Sequence, residues 1–167
     1  MRILGIDPGL ALVGYGVIEV RDGRLRPVQF GKLETSKELS VPSRLEKIYR
    51  GMKEILQEYK PDEAAVEKLY FNTNTTTAIA VAEARGVILL ASEEDHIPVY
   101  EYTPLQVKQT VVGYGQAEKR QVQMMIRVLL GLKEDPKPDD VADALGIAIT
   151  HAHFSRWKRK EGNGDFV

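Results

Sequence analysis

Apolar residues along this chain change period several times, and the changes mark out elements. Residues 2–7 (Arg-Ile-Leu-Gly-Ile-Asp) form a short apolar run closed by the turn Asp7-Pro8-Gly9, which predicts a strand. Residues 12–20 and 25–34 predict two more, joined through Asp22-Gly23, a hairpin turn signal. The period then lengthens. Leu45, Ile48, Met52, Ile55 and Leu56 recur at helical spacing between Pro42 and Lys60-Pro61. Ser43-Arg44-Leu45-Glu46 has the form of a capping box at the start of that helix. Residues 63–69 predict a buried strand, about 75–93 a helix, and 97–102 a fifth strand. Thr103-Pro104-Leu105-Gln106 predicts a capped helix start, and Gly113-Tyr114-Gly115 a break. Two helices follow, over about 117–130 and 139–156.

The order β-β-β-α-β-α-β-α-α-α is a meander followed by βαβ units. It predicts an α/β fold, a mixed five-stranded sheet with helices on both faces. In the fourth-strand-to-fifth-strand helix, Ala78, Ala82 and Gly86 make a small-residue stripe suited to close packing on a sheet or on a partner helix. A length of 167 residues suits one domain, expected over 1–155, with a polar, basic and mobile tail over 156–167.

Composition narrows the chemistry by exclusion. With no cysteine, the chain has no disulfide, zinc–thiolate site or cysteine nucleophile. A reducing cytoplasm is compatible with this. No secretory h-region opens the chain, and no apolar run reaches the ~20 residues of a membrane span. The net charge of −1 argues against a uniformly basic nucleic-acid binder. The distribution is uneven, however: Thr103–Lys133 carries Lys108, Lys119, Arg120, Arg127 and Lys133 against Glu118 alone.

Four carboxylates carry the candidate chemistry. Asp7 and Glu67 end strand-like runs, and Asp140 and Asp143 share one face of the last helix at i, i+3. Asp7 also has an ordinary use as a turn residue, Glu67 as a solvent-facing strand end beside Lys68, and Asp140 as a helix-start acid. For Asp143 such an ordinary use is weaker, because Val141–Ala152 is otherwise uncharged when its histidine is neutral. Clustered carboxylates raise each other's pKa, and divalent cations relieve the repulsion. Hard oxygen donors suit Mg²⁺ or Mn²⁺, and two such ions can activate water against a phosphodiester. Gly5, Gly9, Gly14 and Gly16 leave little bulk around Asp7, so a backbone or a phosphate can approach. Tyr70 and Phe71 can stack on unpaired bases, or serve as a staple beside the polar run that includes Asn74. His151 and His153, two residues apart on a helix, read as structural histidines rather than shared metal ligands.

Several stretches together resemble the RuvC family of Holliday-junction resolvases, crossover junction endodeoxyribonucleases. They are Gly5-Ile6-Asp7-Pro8-Gly9 with Gly14-Tyr15-Gly16-Val17, Pro42-Ser43-Arg44-Leu45, and Ala84-Arg85-Gly86-Val87. Gln106–Gly113 with Ala117-Glu118-Lys119, and Asp140–Leu145 ending in Ala148–His153, are the most specific. The resemblance implies a ribonuclease H-like fold and a homodimer. Matched by position, Asp7, Glu67, Asp140 and Asp143 are its catalytic, metal-binding acids. Lys108 and Lys119 are its DNA-contacting lysines, with Arg120 adjacent. Tyr70 falls where the family commonly has a phenylalanine at the junction centre, and Phe71 follows it. Implied partners are a four-way DNA junction and a branch-migration motor with its junction-binding subunit, with no membrane. The expected function is Mg²⁺-dependent resolution of such junctions by paired symmetric nicks in recombination and repair. Two alternatives stand beside it: a nuclease of the same fold acting on structured RNA or RNA–DNA hybrid, and a non-catalytic junction binder.

Overall fold

The computed structural model describes residues 1–69 and 75–161. Tyr70, Phe71, Asn74 and residues 162–167 of the expected tail lie outside them. Five strands form one sheet: β1 (Arg2–Asp7), β2 (Leu12–Arg21), β3 (Arg24–Glu34), β4 (Glu63–Glu67) and β5 (Val99–Tyr102), in the order β3-β2-β1-β4-β5. β1–β2 and β2–β3 pair antiparallel, while β1–β4 and β4–β5 pair parallel. The β2–β3 turn holds Asp22 at φ 49° and Gly23 at φ 79°, the two left-handed residues a tight hairpin requires. The expected mixed α/β sheet is therefore present, with its meander on one side and its βαβ units on the other.

Strand alternation divides the sheet into two faces. Leu4, Ile6, Val13, Val17, Ala64 and Val66 build one core with α1 (Val41–Tyr59) and α2 (Thr75–Glu94). Ile3, Ile18 and Ala65 build the other with α3 (Pro104–Val112), α4 (Lys119–Leu130) and α5 (Asp139–Glu161). Asp7 shares the parity of Ile3, and Glu67 that of Ala65. Both acids accordingly face the α5 side.

Local signals explain the helix ends, with one departure from expectation. The N-cap of α1 is Ser40, whose side chain accepts from the Ser43 backbone N–H, so the helix starts before Ser43 rather than at it. Pro42 fits the first turn because its missing N–H has no partner there anyway. Thr103 and Gln106 form the expected capping box of α3. The small-residue stripe of α2 does not face the sheet as a unit. Ala84, Ile88 and Ala91 turn inward, whereas Gly86 is exposed and a Cβ there would meet nothing within 4 Å. Among the described residues, no helix is long and apolar enough to cross a membrane.

Candidate active site

The glycines of the first hairpin admit a backbone, and the backbone is the chain's own. A Cβ on Gly5 would fall 2.0 Å from the Ala144 carbonyl oxygen, and one on Gly14 would fall 2.1 Å from that of Asp140. A Cβ on Gly16 would strike the Leu145 side chain at 2.5 Å. Helix α5 therefore lies directly on β1 and β2. Its inward residues are themselves small or apolar: Ala144, Leu145, Ala148 and Ala152 are all buried. The contact brings the first turns of α5 to the ends of β1 and β4 where Asp7 and Glu67 stand.

A polar tie fastens the middle of α5. His151, 1% exposed, meets the Tyr102 hydroxyl through Nδ1 at 2.8 Å and Glu63 Oε2 through Nε2 at 2.7 Å. Tyr100 packs on the same ring at 4.5 Å between centroids. His151 is thus a satisfied structural histidine, and His153 is exposed on another side of the helix. Sequence reasoning found the histidines but not their partners, because Glu63 and Tyr102 are distant in the chain.

The four predicted acids gather at one end of the sheet, each half-buried. Burial pushes the Asp7 carboxyl up to about 8, reinforced by the charges of Glu67, Asp143 and Asp140. Glu67 is raised by burial and then by Asp143. Asp143 is also raised, chiefly by burial, with Asp139 and Asp140 adding to the push. Among the described residues no donor bonds Asp7 or Glu67, so the repulsion is unrelieved by hydrogen bonds. No three of the acids stand ready to hold a metal ion among the described residues. The donor set nevertheless fits a hard divalent cation: oxygen-only, anionic, and destabilised by its own charge.

Among the described residues, one cation faces this cluster. Lys119, the first residue of α4, places Nζ 3.4 Å from Asp143 Oδ2 and 3.1 Å from Asp139 Oδ2. Gln123 Nε2 donates to the other Asp139 oxygen at 2.8 Å. Lys119 and then Gln123 hold the Asp139 carboxyl below its usual range. Partial burial works against the Lys119 charge, yet Asp139 and Asp143 together raise its pKa. From sequence, Lys119 read as part of a basic surface; in the fold it belongs to the acid site. Lys108 is half-buried on α3, and Arg120 is exposed beside Lys119. Neither pairs with the acids among the described residues.

The family model described as crossover junction endodeoxyribonuclease RuvC matches residues 3–151. The chain belongs to the RuvC family. RuvC of Brevibacillus brevis is 62% identical over 154 residues, covering 92% of this chain and 93% of that one. RuvC of Clostridioides difficile is 52% identical over 169 aligned positions and spans 100% of both chains. The solved structure of T. thermophilus RuvC in complex with Holliday junction substrate superimposes with a TM-score of 0.92 at 38% identity, covering 100% of this chain and 99% of that one. The five-stranded ribonuclease H-like architecture expected of a RuvC chain is the one found here.

Proposed function

We propose that this RuvC-family chain is a Mg²⁺-dependent, structure-selective endonuclease that resolves four-way DNA junctions by paired symmetric nicks. The observation that carries the reading is the convergence of Asp7, Glu67, Asp140 and Asp143 at one end of the sheet. The T. thermophilus relative bound to its junction substrate supplies the substrate class.

In this reading the four carboxylates would hold divalent ions, with Asp7 central because its charge is coupled to the other three. When bound, two Mg²⁺ ions, or Mn²⁺ in their place, supply an activated water and neutralise charge on the departing 3′ oxygen. The chain's own part is to fix the donors on rigid elements: Asp7 and Glu67 on paired strands, Asp140 and Asp143 on a helix pinned against them. Lys108, Lys119 and Arg120 would bind phosphates and set the strand's register. Tyr70, Phe71 and Asn74 follow Glu67 within seven residues in the chain, and would meet the bases and backbone at the junction centre.

Paired nicks require two sites, which a twofold homodimer supplies. The outward side of α2, with Ile79 57% and Leu90 55% exposed beside open Gly86, is the surface we assign to the dimer contact. Residues 1–155 would form the single nuclease domain, working in the cytoplasm with a branch-migration motor and its junction-binding subunit.

Amide substitution of each acid tests the site. Asp7→Asn, Glu67→Gln, Asp140→Asn and Asp143→Asn should each abolish Mg²⁺-dependent nicking of a synthetic junction while preserving binding in a mobility-shift assay. Full nicking by any of the four would remove that residue from the catalytic set.

A further inference from the structure

Lys119 is the only basic side chain, among the described residues, within ion-pair distance of any of the four site acids. It does not reach them by chance of a long, free side chain. Asp139 takes the same ammonium at 3.1 Å, and Gln123 takes the other Asp139 oxygen at 2.8 Å. Lys119 and Gln123 are i, i+4 on α4, so one face of that helix grips one carboxylate from both sides. Asp139 points toward α4 and adjoins Asp140 in the chain, yet it has no part in the set of four acids.

A lysine bridged this way places positive charge where the acids need it. A divalent cation that takes Asp143 oxygen must remove the ammonium from that oxygen, because two cations sharing one carboxylate repel. We propose that Lys119 is a built-in stand-in counter-ion for the acid cluster, latched in place by Asp139 and Gln123, and that an incoming divalent ion displaces it from Asp143. This rests on the reading that the four acids bind divalent ions. It adds a function for Asp139 and Gln123, neither of which touches the acids' own interior. It also gives Lys119 a sequence of two tasks: it neutralises the site before the ion arrives, and is released toward a phosphate afterwards.

Mn²⁺ binding to the DNA-free protein, measured by titration calorimetry, tests this without reference to cleavage. Lys119→Gln should bind Mn²⁺ more tightly by up to about five-fold, the upper end of what one exposed ion pair supplies. Arg120→Gln removes the same charge one residue away but no ion pair, and should leave the affinity close to wild type. Asp139→Asn should weaken binding in the Lys119→Gln background, where it only subtracts an attractive charge. With Lys119 present the same substitution also loosens the latch, so the penalty should shrink or reverse. Equal tightening by Lys119→Gln and Arg120→Gln would mean general electrostatics and overturn the proposal. So would an equal Asp139→Asn penalty in both backgrounds, or unchanged affinity in Lys119→Gln. Absence of Mn²⁺ binding in wild type and every variant would instead overturn the metal reading of the four acids.

Discussion

Asp7 is where sequence, burial and charge meet most sharply. Its carboxyl, ordinarily near 3.8, is pushed up to about 8 by burial and by the other acids. The folded protein therefore binds a proton between those values that the unfolded chain does not, and stability falls as pH rises through that window. Below about pH 4 the penalty is absent, and above about 8 it is fully present. In EDTA, the melting temperature of wild type should drop relative to Asp7→Asn between pH 5 and 8, by roughly 2–4 °C for each ~1 kcal/mol. Mg²⁺ should close the gap; a gap independent of pH would show that Asp7 is not held above its ordinary range. Asp7→Asn should also bind a junction at least as tightly as wild type, having lost one repulsive charge. At this scale the sequence was informative for acids and silent on their neighbours. Asp143 stood out because its helix run is otherwise uncharged. Lys119 did not, because a lysine over an acid site and a lysine on a solvated face look alike until tertiary contacts decide.

The elements explain why the acids meet. α5 can seat on β1 and β2 only because Gly5, Gly14 and Gly16 have no side chain. Gly14→Ala would drive a Cβ into the Asp140 carbonyl, a backbone group that cannot swing aside, so the first turn of α5 must shift. It should lose nicking and cost about 1–3 kcal/mol or more in urea unfolding, as overpacking does. Gly86→Ala is the contrasting case: exposed, helical and unobstructed. In the monomer it should gain about 0.5–1 kcal/mol. Comparable costs at the two positions would contradict the seating described for α5. Midway along α5, His151→Phe removes the shared partner of Tyr102 and Glu63, and should cost about 1–3 kcal/mol in the same assay. Most elements were legible because their periods differ and because Gly and Pro punctuate them. The glycines' meaning was only half legible: their lack of bulk predicted a close approach, but whether a phosphate or a helix approached required the fold. The α1 cap moved to Ser40 for a similar reason. Two serines near Pro42 offer the same chemistry, and backbone geometry selects between them. On α2, helical spacing located the small stripe but not the side of the helix that packs, since the helix carries apolar residues all round.

For the whole molecule, the central issues are symmetry and charge. If the outward side of α2 joins two copies, the double variant Ala82→Trp/Gly86→Trp should sediment as a monomer; a persisting dimer would place the contact elsewhere. Lys108→Ala should weaken junction binding and lower the salt slope by about one, whatever the sequence at the branch point. An unchanged slope would remove Lys108 from the phosphate contacts. The most direct test of the account is strand nicking of a synthetic four-way junction in Mg²⁺ by wild type and Asp7→Asn, beside linear duplex and RNA–DNA hybrid. Paired nicks are expected at symmetry-related positions in the junction alone, made by wild type and absent from the variant. Nicking of the hybrid in preference to the junction, or junction binding without nicking by wild type, would contradict it.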